Sequence, residues 1–224
     1  MHVPDGFVSN GLNAATFVAS AGVCALAAVR AHRTLGERQV PLLGVTAAFV
    51  FAAQMLNFPI AGGTSGHFLG AALAAILLGP LNAVLVIAVV LTIQCLGFGD
   101  GGLSALGTNV LNMGLVGGLG GYAAFALLRA VLPRTQRGFL VATAVAAWLS
   151  VVLGASACAL ELVASGTIAL HVALPAMAGV HALIGIGEAI ITAAAISVVA
   201  AGRPDLVPAW PALQAPASPA EVTP

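Results

Sequence analysis

Met1 and His2 open the chain, in MHVPDGFVSN, and together they can offer three nitrogens to one metal ion. A free amine at Met1 and the amide nitrogen of His2 close a five-membered chelate ring. The same amide and the His2 imidazole close a six-membered ring. The three nitrogens lie in one plane, and the amide must lose its proton to join them. Such a set suits ions that accept planar nitrogen fields, Ni²⁺ and Cu²⁺ above all, whereas Zn²⁺ prefers a tetrahedron. One planar corner stays open for another nitrogen.

His67, in TSGHFLG, is the residue placed to fill that corner. It follows the glycine-rich stretch PIAGGTSG and is expected to open a short helix. A histidine inside a membrane segment is costly and points to function. The plainer reading has it bonded to a backbone carbonyl. Pro4-Asp5-Gly6 reads as a turn that lets the leading residues fold back into the protein, or as a simple approach to the first helix. No secretory leader is evident, because a basic region is missing before the first apolar run. Methionine is normally trimmed only before a small residue, so a free amine at Met1 is expected.

Other groups invite attention. The stretch GFGDGGLSALGTNVLNMG, 97–114, gathers Asp100, Ser104, Thr108, Asn109 and Asn112 among glycines, with Gln94 just before it. Such a loop could close over a site and hold ligand imidazoles by hydrogen bonds. Asn109 reads equally well as a helix N-cap. His181 and Glu188 are seven apart, on one face of a helix. They suit a proton relay or, the favoured reading, structural hydrogen bonds. Cys24, Cys95 and Cys158 lie in apolar runs without CxxC spacing and read as small buried hydrophobes. No protease signature and no Walker motif is present, so the chain itself is not expected to be an enzyme or to hydrolyse ATP.

The elements that must position these residues follow from composition. Of 224 residues, 60% are hydrophobic and 6% charged, against roughly 25% charged in soluble proteins. This is an all-α, polytopic integral membrane bundle, with the bilayer as main solvent and lipid as neighbour. There is no lysine and no basic cluster, which excludes nucleic acid as a partner. Apolar runs of about 20 residues and their breakers give seven transmembrane helices, near 12–30, 41–57, 67–79, 81–97, 108–131, 138–160 and 174–200. Gly79-Pro80 separates the third from the fourth. Residues 58–66 form a candidate site loop, because irregular backbone at membrane depth must be buried in protein or line a cavity.

All seven arginines, Arg30, Arg33, Arg38, Arg129, Arg134, Arg137 and Arg203, then fall on one side. That side is the cytoplasm by the positive-inside rule. The N-terminus is expected outside and the C-terminus inside, with His2, Asp5, Asp100, Glu161 and His171 in outward loops. Two units are expected: 1–201, a membrane domain with an N-terminal metal-ligating segment, and 202–224, a disordered Pro/Ala-rich cytoplasmic tail. Small residues such as Ala48, Ala52, Gly114, Gly117 and Gly121 suit close helix packing.

MHVPDGF, AGGTSGHFLG, GFGDGGLSALGTNVLNMG and HALIGIGEAIIT, in that order, resemble the cobalt/nickel S-component family of energy-coupling-factor transporters, the CbiM/NikM family. The resemblance covers residues 1–200. It implies a six-helix S-component with one extra N-terminal helix. It implies a metal site of Met1, His2 and His67, holding Ni²⁺ or Co²⁺ as transported ligand with no permanent cofactor. It implies work in the cell's inner (plasma) membrane, with ties to cobalamin biosynthesis. It implies as partners a transmembrane coupling subunit, ATP-binding subunits and a small accessory membrane subunit, with Ala48 and Ala52 facing the coupling subunit. The alternative function is a self-sufficient proton-coupled divalent metal carrier using His181 and Glu188. Because amine and imidazoles must shed protons to bind metal, binding is expected to weaken below about pH 6.

Overall fold

A computed structural model describes residues 1–36, 39–60, 64–208 and 210. Arg38, part of the PIAGGTSG stretch and the tail from residue 211 onward lie outside the described residues.

Among the described residues seven helices follow one another: α1 Asn10–Thr34, α2 Gln39–Gln54, α3 Ala71–Leu78, α4 Pro80–Phe98, α5 Leu106–Val131, α6 Gln136–Ala164 and α7 Leu170–Gly202. Five of them, α1 and α4 to α7, are long and apolar enough to cross a membrane. At 16 residues α2 is shorter. α3 has eight residues and rises only about 12 Å, so it crosses no bilayer alone. Between α2 and α3 lies a small antiparallel hairpin, β1 Phe58–Ile60 and β2 Thr64–Gly66, which interrupts an otherwise helical fold.

Local chemistry explains the boundaries. Gly79 has φ +87° and ends α3, and Pro80 starts α4, where its missing N–H costs nothing. Gly70, at φ +73°, precedes α3. Contrary to the expectation from sequence, His67 does not open the third helix: residues 67–70 form a short stretch before it. Two backbone donors of that stretch, Leu69 and Gly70, bond to a side chain instead of to a helical carbonyl. α5 begins at Leu106, so Asn109 sits inside the helix and is not its N-cap. Glu161 and His171 lie within α6 and the first turn of α7 rather than in loops.

Ten residues of α5, Leu111–Gly120, are wound as a π-helix. Glycines permit close contact here. A methyl at Gly117 would stand 2.8 Å from Leu69, and one at Gly121 would stand 2.8 Å from Ser150. These glycines thus serve packing within the chain. Ala48 and Ala52, with Gly44, lie exposed along one side of α2.

Two apolar cores result. One surrounds the folded-back terminus: Met1, Val3 and Val8 pack with Leu69, Ile87, Met113 and Met177. The other lies at the opposite end, where Leu73, Phe125, Phe139 and Ile196 meet Val207 and Trp210. The packed chain therefore runs on past Gly202. A 3₁₀ turn at Pro204–Leu206 leads back onto α6, and Trp210 stacks edge-on against Phe139 at 5.3 Å. The tail expected to be disordered from 202 is, over its described residues, seated by this aromatic contact.

Candidate metal centre

The first nine residues run into the bundle before α1 begins. Gly6, at φ +84°, makes the turn read from Pro4-Asp5-Gly6. Val3 is clamped like a residue in a sheet: its N–H donates to Asn109 Oδ1 at 2.8 Å, and its carbonyl accepts from Asn109 Nδ2 at 3.2 Å and from the Gly102 N–H at 2.8 Å. The Asp5 carboxylate accepts from the backbone N–H groups of Leu103 and Ser104 and from the Ser104 hydroxyl. These bonds hold its pKa below the usual carboxylate range. Thr167 donates to the Phe7 carbonyl, and the Ser9 N–H donates to Ser165 Oγ at 3.0 Å. Gly102 is indispensable to the fit, since a Cβ there would stand 2.3 Å from the Asp5 nitrogen.

This clamp carries Met1 and His2 to His67. The Met1 amine is 3.2 Å from His67 Nε2, and the His2 and His67 rings are 4.6 Å apart, centroid to centroid. Relative exposure is 0% for Met1, 3% for His2 and 1% for His67, so all three predicted residues meet in one buried place. Two nitrogens at right angles, each about 2 Å from one ion, lie about 2.8 Å apart. The amine and His67 Nε2 are close to that spacing already.

Neighbours fix which nitrogens are free. His67 Nδ1 lies 2.7 Å from the Phe68 carbonyl, which can only accept, so Nδ1 carries the proton and Nε2 keeps its lone pair. His2 Nε2 lies 3.0 Å from Gln94 Oε1, again only an acceptor. His2 Nδ1 is then the unprotonated nitrogen, and it is buried without a hydrogen bond. Nδ1 is the nitrogen that closes a six-membered ring with its own amide. The carbonyl-bonded reading of His67 and the ligand reading are thus compatible, because the two ring nitrogens do different jobs.

Electrostatics agree. Burial lowers the Met1 amine to about 5, and burial together with the nearby amine lowers His2 to about 3. Both groups are neutral donors at neutral pH. Asp100 stands at the edge, with Oδ1 3.5 Å from His2 Nδ1, and burial raises its pKa.

The stretch holding His67 is supported from two helices. Glu188 of α7 accepts from the Leu69 and Gly70 N–H groups, each at 2.7 Å, and Gln54 of α2 donates to the Leu69 carbonyl at 2.7 Å. His181 bonds separately to the Met177 carbonyl. The favoured structural reading of His181 and Glu188 fits these bonds. Asn112 donates to Glu161 at 2.6 Å. Sequence reasoning did not pick out Gln54, and it lacked a signal: one glutamine in an apolar helix has no spacing partner. Side chains alone would also hide the site. No cluster of three or more His, Cys, Asp or Glu able to hold an ion is found among the described residues, and the expected donor set includes the backbone amine and amide, which such a cluster would not contain.

A multi-pass helical bundle with a buried, nitrogen-lined site at one end is the class of protein these observations define. The chain belongs to the CbiM family: residues 2–206 match the cobalt uptake substrate-specific transmembrane region. It is 43% identical over 209 residues to an Archaeoglobus fulgidus protein with the provisional name fused nickel transport protein NikMN, covering 92% of this chain and 68% of that protein. It is 36% identical over 221 residues to the fused nickel transport protein NikMN of Rhodobacter capsulatus, covering 92% of this chain and 64% of that one. A crystal structure of a truncated transition metal transporter superposes with a TM-score of 0.84 at 32% identity, covering 90% of this chain and 99% of the other. The chain is thus a transmembrane protein of cobalt and nickel transport.

Proposed function

We propose that this chain is the substrate-capturing S-component of an energy-coupling-factor transporter of the inner membrane. It takes Ni²⁺ or Co²⁺ from the extracytoplasmic side through the Met1 amine, the His2 amide, His2 Nδ1 and His67 Nε2. The observation that carries this reading is the buried 3.2 Å approach of the terminal amine to a lone-pair-bearing His67 nitrogen. The described arginines sit at the ends of α1, α5 and α7 and around the start of α6, which supports an outside N-terminus and a cytoplasmic C-terminus. α3, too short alone, would complete a crossing together with the buried stretch 66–70.

Capture and transport are separate tasks here. With no ATPase motif, the chain needs ATP-binding subunits, a transmembrane coupling subunit and a small accessory membrane subunit. The exposed small-residue side of α2 at Gly44, Ala48 and Ala52 suits close approach of the coupling subunit's helices.

The test uses an N-terminal extension of four residues free of histidine. A single inserted residue is unsuitable: it would place the histidine third, where amine, two amides and imidazole alone make four planar nitrogens. Calorimetry on the purified chain should show that the extension abolishes tight Ni²⁺ and Co²⁺ binding, and cells should take up metal only with the ATPase partners co-expressed. Unchanged binding by the extended chain removes the terminus from the site. Uptake by the chain alone, stopped by an uncoupler, would establish the carrier reading instead.

A further inference from the structure

The donor nitrogens are sealed from solvent, so an ion must be handed to them by a group that solvent can reach. The Asp100 side chain is 19% exposed and that of His2 is 2% exposed, yet Asp100 Oδ1 is 3.5 Å from His2 Nδ1. That nitrogen is buried and has no hydrogen-bond partner. We propose that Asp100 is the receiving ligand of the site: its carboxylate takes the hydrated ion at the mouth, delivers it to His2 Nδ1, and stays beside it as counter-charge. The inference rests on the nitrogen site proposed above and adds its point of access.

The loop is built to aim this carboxylate. Gly99 and Gly101, at φ +65° and +92°, flank Asp100 and turn the backbone on either side of it. The Asp100 N–H bonds to the Gln94 carbonyl at 3.0 Å. Gln94 also takes the far edge of the His2 imidazole through its side chain. One end of α4 thus controls both sides of the ring. Asn57, just beyond α2, donates to Asp100 Oδ2 at 3.0 Å, which leaves Oδ1 facing Nδ1. The other buried carboxylates near this end are occupied: Glu188 by two backbone N–H groups and Glu161 by Asn112.

Charge gives the reason for a carboxylate. A divalent ion with one deprotonated amide carries a net charge of +1 into a buried place, which is costly unless paired. Asp100 brings the sum to zero. A carboxylate oxygen also suits an ion still holding water. It can replace one water at the mouth, and the nitrogens replace others as the ion moves inward.

Stopped-flow mixing of Ni²⁺ with the purified full-length chain in detergent, read by the visible absorption of nitrogen-ligated Ni²⁺, tests this. Asp100→Asn keeps an oxygen for Asn57 but loses the charge. Its association rate should fall about tenfold or more and lose most of its dependence on ionic strength. The final spectrum should keep the wild-type nitrogen band, and Asp100→Glu should recover most of the rate. Loading of Asp100→Asn at the wild-type rate and salt dependence overturns the inference while leaving the nitrogen site standing. A wild-type chain with no nitrogen band would instead sink the site, and the inference with it. Should Asp100→Asn not fold, Asn57→Ala retains the charge and frees its aim. A several-fold slower association then supports the inference, and an unchanged rate overturns it.

Discussion

The two ends of the bundle are held by different physics. At the metal end, segments distant in sequence are joined by directional polar bonds: Val3 to Asn109, Asp5 to Ser104, Leu69 and Gly70 to Glu188, His2 to Gln94. At the other end, Phe125, Phe139 and Trp210 stack edge-on, with the Arg129 guanidinium 5.4 Å from the Phe139 ring centre. Hydrogen bonds fix distance and angle, whereas aromatic packing mainly fills volume. A site that must place nitrogens around one ion needs the first, and a closed bundle end is served by the second. Damage at the metal end should therefore cost affinity, and damage at the Trp210 end should cost stability alone.

The sharpest way to break that contrast is at the terminus. The four-residue extension should lower Ni²⁺ affinity by several orders of magnitude in calorimetry, and because Met1 is buried in the core it should lower the unfolding temperature as well. Glu188→Ala comes next. It orphans two buried N–H groups beside His67, and removal of such supports typically costs about 10- to 100-fold in metal affinity. It should also lower the unfolding temperature, and Glu188→Gln should recover part of both. Asn109→Ala should act in the same direction and fall about tenfold in affinity. Equal affinities in these variants and wild type would mean that the polar bonds are scaffolding only.

Acidity sharpens the comparison further. The folded-state amine titrates at about 5, below its ordinary 8.0. Lowering the pH from neutrality therefore brings in competition at the amine only near pH 5, whereas an unperturbed amine would already be mostly protonated at neutral pH. The amide must release its proton to the metal at any pH, so affinity should rise about tenfold per pH unit between 6 and 8 and change more steeply below about 5. Calorimetry across that range checks it, and a flat profile would remove the amide from the ligand set. The smallest effect on affinity belongs to Phe139→Ala. Loss of a buried aromatic costs about 3 kcal/mol or more, read as a lower unfolding temperature, with Ni²⁺ affinity within about twofold of wild type.

Much of this was legible in the residues. Helix count and approximate bounds came from apolar length and from Gly79-Pro80, because lipid demands long apolar runs and proline stops them. The proposed ligand set was read from Met1 and His2, since chelate ring size depends only on covalent connectivity. Less legible was everything that depends on where α3 starts. The sequence 67–79 is continuously apolar after the histidine, yet helix formation is delayed to Ala71, because Glu188, 118 residues away, takes the N–H of Gly70. Asn109 was balanced between a cap and a support, and only the arrival of Val3 decides between them. Trp210, read as part of a loose tail, is placed by a partner ring that no local pattern reveals.

By itself the sequence determined that the chain is an apolar helical bundle, and it pointed to Met1, His2 and His67 as the proposed ligand set. Those follow from covalent spacing and from bulk hydrophobicity, which need no knowledge of neighbours. Only the tertiary structure decided that the amine meets His67 at 3.2 Å, which nitrogen of each ring is free, and that Gln54, Gln94 and Glu188 hold them there. Hydrogen-bond geometry is set by atoms from distant parts of the chain, and folding alone brings them within reach.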